Sequence, residues 1–130
     1  MATGVALDDG LARLALLAIG GGGTDYGNAN ARILVGDDDT APVATDTGIV
    51  GTAVADAMDA TFPTDPPVSN TLVFQATYAA AAITNIITEV CVDNGAGDAE
   101  ALCRIVLDTS EQVTPGASDI IRVKVEIPLA

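Results

Sequence analysis

Apolar positions are spaced for a helix near the start of the chain and for strands beyond residue 30. In "LDDGLARLALLAIGGGG" (7–23) good helix formers run from Leu11 to Ile19, Asp8 or Asp9 stands where an N-cap belongs, and Gly20 is placed for a left-handed stop. This predicts a short helix with one oddity. Arg13 is its only polar residue between Leu11 and Ile19, so the helix must be covered on more than one side, by its own core or by a neighbouring subunit. The glycines at 20–23 predict a flexible joint. With no "GK[ST]" after them and no helix opening there, they do not read as a phosphate cradle.

Past the joint the period becomes two. "ARILVG" (31–36) predicts a short strand, and "TLVFQATY" (71–78) puts Leu72, Phe74, Ala76 and Tyr78 on one face. "DIIRVKVEIP" turns Ile121, Val123, Val125 and Ile127 inward and Arg122, Lys124 and Glu126 outward, the mark of a half-buried antiparallel strand. "ITEVCVDNGAGDAEALCRIVLD" reads as two strands around a turn-rich "DNGAGDA" loop. A loop centred near Gly97 sets Cys91 opposite Cys103, which allows a disulfide or a packed pair of thiols. The proline-rich 61–70 cannot be a central strand. The expected fold is mainly β: an antiparallel β-sandwich or jelly-roll-like domain of five or six strands with one short N-terminal helix. It is a single domain over 1–130, with helix and joint at 1–23 and the β-domain at 24–130.

Composition then narrows the function classes. The 130 residues carry 18 acidic and 5 basic side chains, no histidine and a net charge of -13, so nucleic acid and anionic membranes are excluded as direct partners. Hydrophobic residues still make up 49% of the chain, enough for a folded core where a disordered acidic segment would lack one. The acidic side is mostly Asp, Lys124 is the only lysine, and Ala, Gly, Thr and Val dominate the apolar side. That balance suits a protein kept soluble in molar salt, as in a halophile. No basic segment leads into an apolar stretch at the start, and the longest apolar run, 14–19, is far too short to span a bilayer. The sequence therefore reads as neither a secreted precursor nor a membrane protein.

"ATDTGIVG" (44–51) raises the possibility of an aspartic peptidase half-molecule, in which two Asp carboxylates share a proton. Such a site needs apolar strand residues before the Asp and a downstream apolar-apolar-Gly segment, and neither is present. Asp46 reads instead as the cap of a local turn. With no histidine and no activated Ser or Cys, the chain is not expected to be an enzyme. The best metal candidates are Asp37, Asp38 and Asp39 in "GDDDT", which offer hard oxygens to Ca²⁺ or Mg²⁺. Calcium loops use alternate positions, however, and adjacent Asp side chains diverge, so a solvated acidic tip is the competing reading. No other cofactor is expected.

The order of segments resembles a family of small virion proteins of tailed double-stranded DNA viruses. It runs from the helix in "DDGLARLALLAIGGG" to a strand and Thr-Pro-type turn in "ARILVGDDDTAPVATDTGI" and a middle strand in "LVFQATYAAA". An "ITEV" segment then leads into "ALCRIVLD", and an amphipathic strand in "PGASDIIRVKVEIPL" closes the chain. The resemblance covers nearly the whole sequence. It implies a structural component of a capsid surface, tail fibre or baseplate, assembled by symmetry, with no catalytic residues. The excess of Asp points to a virus of haloarchaea. Without fibrous repeats, a capsid turret or decoration subunit is favoured over a tail fibre. The implied partners are copies of the chain in a pentamer, hexamer or trimer, other virion proteins such as the major capsid protein, and a host surface receptor. A surface or adhesion module of a halophilic cell is the reading from a different class.

The charge makes one prediction directly. Lowering salt from about 1 M to about 0.1 M lengthens the Debye length from about 3 to about 10 Å and restores repulsion among the carboxylates. The melting temperature should fall across that range, and a flat profile would remove the argument for a halophilic protein.

Overall fold

Seven strands and one helix follow one another in the computed structural model, which describes residues 3–64, 67–95 and 100–129. They are β1 (Thr3–Ala6), α1 (Asp8–Ala18), β2 (Arg32–Gly36), β3 (Val54–Ala57), β4 (Thr71–Tyr78), β5 (Glu89–Asp93), β6 (Cys103–Val106) and β7 (Ile121–Pro128). One sheet has five strands in the order β1-β6-β5-β2-β3, and β4 and β7 form a second. Every pairing is antiparallel. The domain is mainly β and sandwich-like, with one short helix near its N-terminus, as the alternation predicts.

The core lies between the sheets. Ile33, Val35, Val90, Val92 and Cys103 from the larger sheet meet Phe74, Ala76, Tyr78 and Val125 from the smaller. The Tyr78 hydroxyl ties the layers together, donating between Ile33 O at 2.6 Å and Val54 O at 3.0 Å. A buried tyrosine is tolerated because its polar tip is satisfied. β7 behaves as its pattern requires, with Arg122, Lys124 and Glu126 exposed and Val125 buried. On the outer face of β4, Gln75 and Thr77 donate to Asp59 at 2.9 and 2.7 Å, and these bonds hold the Asp59 carboxyl below the ordinary carboxylate range.

β5 differs from the other strands because all of its residues are buried. It runs between β6 and β2; one face meets the sandwich core, and the other lies under the segment that joins β2 to β3. That segment, 37–52, crosses the outer face of the larger sheet. A small second cluster packs there, built on Leu7, Cys91 and Ala101 with Leu34 and Ile49 against it.

Several expectations change. The first strand precedes the helix: β1 pairs with β6, so the segment 1–23, read as helix and joint, also gives the larger sheet an edge strand. Asp8 and Asp9 do not cap α1. They sit in its first turn, and the N-cap is Leu7, without a side-chain cap. Leu7 takes that place because it is fully buried, and the Asp8 amide donates instead to Ala44 O at 2.9 Å. The C-terminus ends as predicted. Gly20 has φ +70, and the Gly20 and Gly21 amides return to Leu17 O and Leu16 O at 3.2 and 2.8 Å.

The cysteines are not opposite one another. Cys91 pairs with Arg104 and Cys103 with Val92, a register one residue away from the expected one. In a pleated sheet that step moves a side chain to the other face. Cys103 therefore belongs to the sandwich core and Cys91 to the outer cluster, both as buried free thiols.

Helix α1 approaches the β5–β6 connection closely at Gly10. A Cβ there would meet Ala101 O and lie 2.5 Å from Leu102 Cα. Alanine is the better helix former by about 1 kcal/mol, but the clash is with backbone and cannot be relieved by a rotamer change. Gly10→Ala is therefore expected to destabilise the fold by about 1–3 kcal/mol in denaturant unfolding, the usual cost of overpacking.

Candidate functional site

The densest polar cluster is built on two buried charges on neighbouring strands, Glu89 at the head of β5 and Arg104 in β6. Arg104 lies across from Cys91 in the ladder, which places Glu89 diagonally beside it on the same face. Both side chains are fully buried, and the Arg104 Nε–Glu89 Oε2 distance is 2.8 Å. A buried pair of this kind is tolerated only when its remaining donors and acceptors are satisfied. Here they are. Glu89 also accepts from the amides of Asp38, Val50 and Gly51 at 3.2, 3.1 and 2.7 Å. Arg104 donates to Thr40 O at 3.0 Å, to Asp46 Oδ2 at 3.2 Å and to Asp38 Oδ1 at 3.1 Å.

All of these partners except Glu89 and Arg104 themselves come from 37–52, which lies over the pair like a strap. Two glycines allow its close approach. A Cβ on Gly36 would strike Glu89 Oε1 and Ile49, and one on Gly51 would strike Asp37 Oδ1 and lie 3.0 Å from Glu89 Oε1. Thr88 adds a hydroxyl bond to Asp38 O at 2.9 Å.

The structure places the predicted site residues as follows. Asp37 accepts from the Thr52 amide at 2.7 Å and from the Asn85 side chain at 3.0 Å. Asp38 faces Arg104 and accepts from the hydroxyl and amide of Thr40; these two bonds, with Arg104 behind them, hold its carboxyl below the ordinary range. Asp39 borders a separate polar cleft of about 300 Å³ with Asp108 and Gln112. Of the three residues expected to offer oxygens to Ca²⁺ or Mg²⁺, Asp37 and Asp38 thus serve different protein donors and Asp39 lines another cleft, so the three side chains are not brought to one point. Among the described residues no group of three or more His, Cys, Asp and Glu side chains is placed to hold a metal ion. Asp46 caps its own turn, accepting from the Val43 amide at 3.0 Å, and its second role, as a partner of Arg104, was not visible in "ATDTGIVG". Sequence reasoning also missed Glu89. The available signal was a single acid in "ITEVCV" matched by a single base in "ALCRIVL".

Two larger apolar clefts lie elsewhere on the surface. One of about 400 Å³ runs beside β7 over Val90, Ile105 and Leu107, and one of about 430 Å³ lies between α1 and Pro63, Thr64 and Pro67, with Tyr26 and Phe74 in its wall. The Tyr26 hydroxyl is already engaged with Glu100 O at 2.7 Å. Compared with family models, characterised proteins and solved structures, the chain matches none.

Removing half of a buried ion pair leaves the other charge uncompensated, at a cost of about 3–5 kcal/mol. Glu89→Gln keeps the shape but removes the charge that Arg104 faces, and it turns an amide group toward the strap's N–H donors. Chemical denaturation in high salt should show a loss of that order. A loss below about 1 kcal/mol, the value of an exposed pair, would show that the cluster does not hold the strap.

Proposed function

We propose that the chain is a structural subunit of a virion surface that assembles with copies of itself by symmetry, as a capsid turret or decoration protein of a tailed haloarchaeal virus. The observation that carries the assembly step is the outward face of α1. Leu14 and Leu17 pack against the sandwich core, whereas Leu11, Leu16 and Ile19 are 50%, 44% and 81% exposed. A helix that turns Leu11, Leu16 and its C-cap residue Ile19 toward solvent, in a chain of net charge -13, is well suited to burial against an identical surface. The virion placement is supported by the ordered resemblance of five segments. The absence of a catalytic role is supported by the cluster above, in which the carboxylates of Asp38, Asp46 and Glu89 are committed to Arg104 and to strap amides.

In this reading α1 sits at the subunit interface. High salt is needed for association, because copies carrying the same large negative charge repel one another in dilute buffer. A pentamer or hexamer fits a capsid vertex or capsomer, and a trimer fits a fibre.

Sedimentation of the purified chain in molar salt tests the assembly step. A discrete closed oligomer is expected, converted to monomer by Leu16→Asp with Ile19→Asp and with the melting temperature of the monomer little changed, since both side chains are exposed. A concentration-independent monomer would remove the reading.

A further inference from the structure

We infer that the 37–52 segment is a salt-dependent latch, closed over the outer face of the larger sheet at high ionic strength and released from it as a unit in dilute salt while the sandwich stays folded. The segment contains Asp37, Asp38, Asp39 and Asp46 and no basic residue. Beneath it β5 contributes a further negative charge, Glu89, and β6 contributes Arg104, the one cation bonded to the segment among the described residues. α1 begins beside it with Asp8, whose amide is bonded to Ala44 O. Arg104 and the amide bonds to Glu89 thus hold down a segment whose own carboxylates repel each other and the rest of an acidic surface.

Salt acts unequally on these forces. The Arg104–Glu89 pair is fully buried, while the side chains of Asp38 and Asp46 retain 28% and 17% of their exposure. Screening weakens interactions through solvent far more than those inside the protein. Added salt therefore screens the repulsion and leaves the buried attraction, and dilution restores the repulsion. Beyond the polar bonds already named, little apolar burial resists release. The apolar contact under the strap comes down to Ile49 on a cluster of three buried residues, against the much larger cluster between the sheets. Segments with few apolar contacts open locally at lower free energy than the global transition.

The two cysteines report the two events separately. Cys91 lies in the cluster under the strap and Cys103 in the sandwich core, so strap release exposes the first and only global unfolding exposes the second. Burial pushes both thiols up, Cys103 to about 11, which keeps both slow in the closed state.

The test follows modification of each thiol by 4,4′-dithiodipyridine near neutral pH, with the site read by mass spectrometry, in about 2 M and about 0.1 M salt. Cys91 is expected to react at least about tenfold faster in the dilute buffer while Cys103 stays protected. Arg104→Met should give the fast Cys91 rate at both salt concentrations. In the unmodified sequence, amide exchange at Val50 and Gly51 should quicken with dilution and that at Val92 should not. Equal rates for the two thiols at every salt concentration, or a Cys91 rate and Val50 exchange that ignore salt, would overturn the latch.

Discussion

The buried contact between Arg104 and Glu89 is the constraint around which one whole side of this protein is arranged. Neither charge can be stranded in the interior, so the chain must bring partners to them. It does so by laying sixteen or so residues of loop over the sheet rather than by adding another strand. The loop's backbone amides go to Glu89, and its carboxylates and one carbonyl go to Arg104. The usual logic of a sandwich, with apolar surface between layers and polar surface outside, applies on the inner face. On the outer face a polar network does the joining.

This arrangement explains why β5 is buried throughout in so small a domain. Its inner residues Val90 and Val92 face the second sheet, and its outer residues Glu89 and Cys91 face the strap. The same logic accounts for the distribution of charge. Among the described residues Arg13 has an acidic partner at hydrogen-bonding distance in Glu100, Arg32 in Asp93, Arg104 in three carboxylates, and Lys124 in Glu126. Only the one at Arg104 is buried on both sides. A protein with few cations has placed one of them where it organises the most backbone.

The strands whose side chains alternate in size and polarity were legible in the sequence. β2, β4 and β7 fall where the period-two pattern put them, because burial on one face is what such a pattern encodes. The helix was legible too, and so was its glycine stop, because both depend on local backbone preference. The misses have separate physical causes. β1 and β3 are four-residue edge strands rich in Ala and Gly, whose pairing is decided by distant partners and leaves no local trace. The cysteine register failed by one residue because the loop between β5 and β6 was assumed symmetric about Gly97. The helix N-cap failed because burial of Leu7 outweighed the modest gain of an Asp cap. Among the candidate residues, Asp46 as a turn cap could be read from its neighbours, whereas its bond to Arg104 spans 58 positions and could not. The "DNGAGDA" loop lies partly outside the described residues, at 96–99.

The fit of Gly36 and Gly51 around Glu89 has a meaning for how this sequence can drift. Both glycine Cα atoms stand against the same carboxylate oxygen, so positions 36, 51 and 89 are not free to change one at a time. A side chain gained at either glycine calls for a shorter acid at 89, and a shorter acid withdraws from Arg104 or from the amides of Val50 and Gly51. Related sequences that keep this clamp will keep all three residues together, and those that have lost one will have rebuilt the loop. A search by this triplet, with a lone arginine two strand positions along the neighbouring ladder, would recognise kin that overall similarity does not reveal.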